Sequence, residues 1–412
     1  MAMRLFSPSA LPRAFLGLAA SNLAAQSAEQ LSLAATPLVA VLALGAGPGE
    51  IGMLSALQTL PFLLLSLPLG ALADKWPRRR LMLGAEGLRL ISLLILTWIL
   101  GMSGLSVGCL AVLGFLGAVG TVGFSVAAPG VVASLVPRAL LPAANARLEL
   151  ARSVAFTAGP AVAGALLAWS GALSAYVLAS VLSACALGLL PRLSGPARQE
   201  TGRRRPLLRD VAEGASFVWR EPMLRPILIT GVIFNVSWFV VQAIYVPYAI
   251  NELGLSTQAV GVTQALYGLG MVAGALLCPR LVAALPFGRA IQIGPVAGML
   301  AASCLAATLL LPSAALAGAC FFLLGAGPMV WTITTTTLRQ SLVQDAMLGR
   351  VFAVFLTLNA GARPIGAGLG GLVGAAWGER ACLLVALAGF ACQAGVILAS
   401  GLSTMRRLPE PA

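Results

Sequence analysis

The 412-residue chain has no histidine, and among its 26 basic residues only one lysine, Lys75. Without imidazole, zinc sites of the histidine type, imidazole acid–base chemistry and Ser-His-Asp triads are excluded. Charge is scarce, at 9% of residues, where soluble domains carry roughly 25%. No Walker phosphate loop is present, so ATP does not drive the protein directly. The seven cysteines all lie in apolar segments with no CxxC pair, and read as small packing residues. No residue pattern calls for a cofactor or a metal.

What is abundant is apolar surface: 59% hydrophobic residues and a mean hydropathy of +0.95. No soluble core could hide this much, so the solvent is lipid. The net charge of +13 sits in short clusters between apolar runs. No face or tail gathers it with stacking aromatics, which argues against a nucleic-acid partner. Windows of roughly 20 apolar residues, enough to cross a bilayer, recur down the chain. They cover 15–44, 51–73, 81–101, 105–127, 149–169, 172–191, 225–248, 258–278, 290–311, 314–338, 351–376 and 380–402. Gly-rich runs without period-2 alternation are helices rather than barrel strands. The first could mimic a cleaved signal peptide, but a second apolar run, Leu31 to Leu44, follows at once, and the two together make one span.

Basic residues set the direction. Alternate connections hold Arg4 and Arg13, Lys75 and Arg78 to Arg80, Arg138 and Arg147, Arg192 through Arg225, Arg280 and Arg289, Arg339 and Arg350, and Arg406 and Arg407; the others hold only Arg380. Both termini and the central loop are therefore expected in the cytoplasm, in a bacterial inner membrane. The longest hydrophilic stretch, Arg192 to Arg225, carries an expected surface helix, Leu208 to Trp219. The expected organisation is an N-terminal six-helix bundle over 1–191, a linker over 192–224 and a C-terminal six-helix bundle over 225–412. The halves echo each other. Ser134-Leu135-Val136 matches Ser341-Leu342-Val343, and Gly159-Pro160 matches Arg363-Pro364, at offsets of 207 and 204. Parallel six-helix repeats are a transporter design with the substrate site near mid-membrane.

Several motifs carry a family resemblance. Gly70-x-Leu72-Ala73-Asp74-Lys75-x-x-Arg78-Arg79 resembles the signature loop of the major facilitator superfamily, departing at Pro77, where that family usually has glycine. Gly159-Pro160 with Gly164 resembles an exporter motif of the fifth span. Leu141-Pro142-Ala143-Ala144-Asn145-Ala146, Leu348-Gly349-Arg350-Val351-Phe352-Ala353 and Gly361-Ala362-Arg363-Pro364-Ile365-Gly366 resemble the twelve-span drug/proton antiporter subgroup, which includes macrolide-efflux proteins and the enterobactin exporter. The fourth span has no arginine where many proton-coupled members carry one. The resemblance implies an all-α membrane protein, twelve helices in two pseudo-symmetric bundles, working as a monomer. It also implies that the loop from Gly70 to Arg79 gates the cytoplasmic side; topology setting and contact with anionic lipid are the plainer roles.

Glu29 stands near the middle of the first span, where an ionised carboxylate costs several kcal/mol, on the order of insertion-scale values, unless it is paired or wet. It is the candidate proton carrier, with Asn22 and Gln26 on roughly its helical face. A purely structural, hydrogen-bonded carboxylate is the alternative. Arg363, deep in the eleventh span, must have a partner, because arginine does not deprotonate. That partner is a carbonyl, a carboxylate such as Glu29, or an anionic substrate. Glu86 and Arg89 read as a self-neutralising i,i+3 pair near the inner end of the third span. Asn235, Gln242 and Tyr245, with Trp331 on the tenth span, are candidate cavity residues for an amphipathic ligand. Pro160 and Pro364, beside Gly159 and Gly164, allow bending or close helix approach. Gly366-Ala367-Gly368-Leu369-Gly370-Gly371 matches GxGxxG, but it lies inside a span with no strand before it, so helix packing explains it better.

The expectation is a proton-coupled exporter of small amphipathic compounds, such as a drug, siderophore or similar metabolite, with protons and membrane lipid as its other partners. A proton-linked uptake symporter and a non-transporting scaffold or sensor are the alternatives.

Overall fold

The computed structural model describes residues 11–102, 104–137, 140–190, 207–343 and 345–406. Among them there is no strand. Helices α1 (Arg13–Leu44), α2 (Pro48–Lys75) and α3 (Arg78–Gly101) are followed by α4 (Val107–Leu135), α5 (Leu141–Ser170) and α6 (Ala172–Leu189). After α7 (Leu207–Arg220) come α8 (Leu224–Asn251), α9 (Thr257–Ala284), α10 (Phe287–Ala307) and α11 (Ala314–Leu342). The last, α12 (Asp345–Leu398), breaks at Gly378 into two limbs, 345–377 and 379–398. Eleven of these helices are long and apolar enough to cross a membrane, and the break in α12 makes a twelfth crossing. The two apolar runs of the first span join in one 32-residue helix.

Large apolar side chains such as Leu64, Leu276 and Leu372 face outward, as lipid solvent requires. Trp98, Trp169 and Trp377 are exposed at helix ends, where indole favours a membrane–water interface.

The chain divides into two compact units, one of residues 1–45 and 57–202, the other of 46–56 and 203–412. Each is packed through small residues. In the first, a methyl group on Gly159 would lie 2.6 Å from Cβ of Gln30, so α5 crosses α1 backbone to backbone. In the second, Gly366 and Gly370 meet α8 at Val236 and Val240, while Gly371 meets Gly52 of α2. The GxGxxG stretch is thus a packing face. Also in the second unit, α7 docks on the start of α12. Glu213 accepts from Arg350 at 2.7 Å, and Val218 is fully buried.

The internal repeat has a definite register. Helices α2 and α9 both span 28 residues and start at 48 and 257, an offset of 209. Helices α4 and α11 both span 29 residues and start at 107 and 314, an offset of 207. Gly171 and Gly378, also 207 apart, adopt nearly the same conformation, with φ of 79° and 78° and ψ of 176° and 175°. Only glycine enters that region readily. The Ser-Leu-Val echo is in register. Gly159 is not matched with Arg363, however, but with Gly366, three residues on. Pro77 and Pro286, 209 apart, both cap the next helix, with φ of −57° and −53°. This explains the departure at Pro77: both units turn this corner with a proline, whose fixed φ starts the following helix.

Candidate functional site

Glu29 lies sixteen residues into α1, about 24 Å along it at the usual rise. Its Oε2 is 3.8 Å from Nη1 of Arg89 on α3. Arg89 also grips Glu86, one turn back, through Nε at 3.3 Å and through Nη2. Its Nη1 donates to the Thr121 hydroxyl of α4 at 3.3 Å. From α6, Ser183 donates to Oε1 of Glu86 at 2.6 Å. Four helices of the first unit therefore meet at one ionic cluster. Glu86 is wholly buried, Arg89 5% exposed and Glu29 15% exposed.

Small residues make the room. Gly120 of α4 faces Ala85 and Arg89, where a methyl group would sit 3.1 Å from the arginine Cβ. The short connection between α3 and α4 sets them antiparallel, placing Thr121 beside the guanidinium. Gly159 lets α5 approach α1 at Gln30, the neighbour of Glu29. Taking such charges out of water is costly, and removing one member of a buried pair typically costs about 3–5 kcal/mol. The cluster tolerates burial because each charge meets an opposite charge or a hydroxyl. It holds two carboxylates for one guanidinium.

The sequence reading of Glu86 and Arg89 as a self-contained pair is half of the arrangement. The pair exists, but it sits eight and eleven residues into the 24-residue α3, nearer the middle than the inner end. It is also joined to Glu29. Thr121 and Ser183 gave no signal in the sequence. The surplus of acid over base in the apolar spans of the N-terminal half did: Glu29 and Glu86 share Arg89.

The remaining candidates are distributed as follows. Asn22 is buried and Gln26 half-buried on α1. Gly70 lies inside α2, Arg78 and Arg79 in the first turn of α3, and the side chains of Asp74 and Lys75 lie outside the described residues. Gly164 is buried and Pro160 half-buried on α5. In the second unit, Asn235 donates to the Asn359 side chain at 3.2 Å, and Asn359 donates to the carbonyl of Phe355 at 2.8 Å. One turn further along both helices, the Arg363 guanidinium lies 5.9 Å from the centre of the Phe239 ring. Gln242, Trp331 and Pro364 are half-buried. Tyr245 is fully buried; its hydroxyl bonds Thr263 and its ring packs edge-on against Phe321.

A family model described as Major Facilitator Superfamily matches residues 18–367. An enterobactin exporter EntS from Citrobacter koseri is 28% identical over 347 residues, covering 83% of this chain and 80% of the relative. An uncharacterized MFS-type transporter, y4rN, from Sinorhizobium fredii is 30% identical over 246 residues, 58% of each chain. A lysophospholipid transporter LplT from Photorhabdus laumondii is 24% identical over 60% of this chain and 61% of its own. Among solved structures, the nucleoside transporter NupG superposes with a TM-score of 0.74 at 12% identity, over 94% of this chain and 99% of that one.

Proposed function

The chain belongs to the Major Facilitator Superfamily, and we propose that within it the protein is a proton-coupled exporter of small amphipathic compounds. It is a multi-pass membrane transporter and not an enzyme. The carrying observation is the mid-helix acid Glu29 facing Arg89 inside the first unit. A carboxylate at that depth is retained at a cost that packing alone does not explain, and acids so placed mark ion pathways. Alternating access then follows: Glu29 loads a proton from one side of the membrane and releases it to the other, as substrate passes in the opposite sense.

Export is the reading favoured by the Gly159-Pro160 motif and by the similarity to an enterobactin exporter. Asn22 and Gln26 of the first unit, and Asn235, Gln242, Trp331 and Arg363 of the second, are the proposed substrate-facing polar and aromatic groups. The loop from Gly70 to Arg79 is the proposed cytoplasmic gate. The inner bacterial membrane, with both termini cytoplasmic and the protein monomeric, is the proposed setting.

The test is a panel of amphipathic drugs and siderophores in an efflux-deficient bacterial host. Wild type lowers accumulation of at least one chemical class and Glu29→Gln does not. Equal protection by both proteins would refute the role of Glu29. Raised accumulation with wild type would instead establish an uptake symporter.

A further inference from the structure

The proton-carrier reading of Glu29 leaves Glu86 and Arg89 without a part. We propose that they are positioning residues for Glu29: Glu86 is a standing anion that neutralises and holds Arg89, and Arg89 is the cation against which Glu29 alone exchanges its proton. This rests on the proposed role of Glu29.

The two carboxylates are not equivalent. Glu86 is wholly buried, held by two guanidinium nitrogens and by the Ser183 hydroxyl at 2.6 Å. Its oxygens are committed, and no side of it meets water. Glu29 stands at 3.8 Å, the outer edge of ion-pair range, with a side chain 15% exposed. With both acids ionised the cluster carries one net negative charge; with one proton it is neutral. A single exchangeable proton therefore separates the two states. It arrives on and leaves from a Glu29 carboxylate oxygen, and no other bond forms or breaks. Once Glu29 is protonated, Arg89 keeps Glu86 and Thr121, and the ionic attraction between α1 and α3 is lost. Once Glu29 is ionised, that attraction returns. In the first unit Glu29 faces Arg89 and, behind it, Glu86. At these contacts α4, α5 and α6 contribute Thr121, Gly159 and Ser183, none of them charged.

The repeat supplies an independent argument. On the offsets of their own helices, Glu86, Arg89, Thr121 and Ser183 correspond to Pro295, Gly298, Pro328 and Phe390, and the matched contacts of Gly159 with Gln30 and of Gly366 with Val236 pair Glu29 with Asn235. The helix crossing itself is conserved between the units: a methyl group on Gly120 would strike Ala85, and one on Gly327 would meet Gly294, the matching position, at 3.3 Å. The scaffold therefore stands in the second unit without a single member of the cluster. All five members go together, as expected of parts of one device rather than of a packing solution the fold requires.

The test uses purified full-length protein in vesicles of phosphatidylethanolamine and phosphatidylglycerol. Infrared difference titration follows the protonated-carboxyl band that Glu29→Gln abolishes, and needs no substrate. Glu86→Gln removes the standing anion and leaves Arg89 facing Glu29 alone. The band's midpoint then moves to lower pH by about one unit or more, a tenfold change in proton concentration. Glu86→Gln/Arg89→Gln removes both charges, Arg89 being the nearer, and moves the midpoint to higher pH. Shifts of opposite sign cannot come from loosened packing. An unmoved midpoint in both variants, or shifts of one sign, would overturn the inference. If Glu86→Gln fails to accumulate, the double variant decides alone by whether its midpoint rises. If transport stays proton-coupled in Glu29→Gln, the reading of Glu29 fails instead.

Discussion

Replacing Gly159 by alanine sets two known effects against each other. The new methyl group would lie 2.6 Å from Cβ of Gln30 and 3.0 Å from its carbonyl carbon. Carbon atoms settle at about 3.5–4.0 Å, so α5 and α1 must part by about 1 Å. Alanine gains about 0.8–1.0 kcal/mol of helix propensity over glycine. Overpacking costs about 1–3 kcal/mol, and the upper part of that range applies because the opposing atoms are backbone and Cβ, not a mobile tip. The net expectation is a loss of about 1–2 kcal/mol. Gly188 on α6, with nothing within 4 Å of its added methyl, is the control that gains propensity only. Thermal unfolding of the two purified variants in detergent should place Gly159→Ala below wild type and Gly188→Ala at or above it. Gln30 adjoins Glu29, so the same displacement should weaken the 3.8 Å contact with Arg89 and slow proton-coupled transport. Equal melting of the two variants would refute the claim that α1 and α5 touch at Gly159.

Four further sets of outcomes are expected. Thr36 spends its proton on the Ser32 carbonyl at 2.8 Å and accepts from the buried Tyr176 hydroxyl at 3.1 Å. Tyr176→Phe should therefore cost about 0.5–1.5 kcal/mol, and Thr36→Val, which strands the tyrosine hydroxyl, about 1–3 kcal/mol in denaturation experiments. Gly171→Ala and Gly378→Ala should each lower the melting temperature by a similar amount, about 1–3 kcal/mol of stability, because both occupy the same glycine-only conformation. Glu213→Gln should cost at most about 1 kcal/mol, since that ion pair is partly exposed. Gly214→Val, whose Cβ would lie 2.8 Å from the Arg350 carbonyl oxygen, should detach α7 and be read as faster hydrogen exchange over residues 207–220.

Hydropathy located every span to within a few residues of its middle, because a membrane helix must be long, continuous and apolar. It missed the ends: α4 and α5 run on beyond the apolar windows, through Leu135 and back to Leu141, where backbone hydrogen bonding continues past the hydrophobic boundary. The repeat was visible in Ser-Leu-Val but misaligned at the prolines, since proline positions drift within a helix while the crossing glycines are fixed by contact. Glu29 was legible because an acid in lipid demands an explanation. Its partner was not. An i,i+3 acid–base pair looks self-sufficient on a helical wheel, and the reach of the Arg89 side chain from α3 to Glu29 on α1 is visible only in three dimensions. Thr121, Ser183 and Asn359 carry no one-dimensional signal, because a hydroxyl or amide in an apolar helix equally satisfies its own backbone.

The central claim is that Glu29 moves a proton against the movement of substrate. It is tested most directly in vesicles carrying the purified protein and a lumenal pH dye, to which a compound exported in the drug panel is added outside. Inward movement of the compound should drive protons out and make the lumen alkaline with wild type. Glu29→Gln should retain exchange of compound for compound but move no protons. Unchanged lumenal alkalinisation with Glu29→Gln, or protons moving in the same direction as the compound, would contradict it.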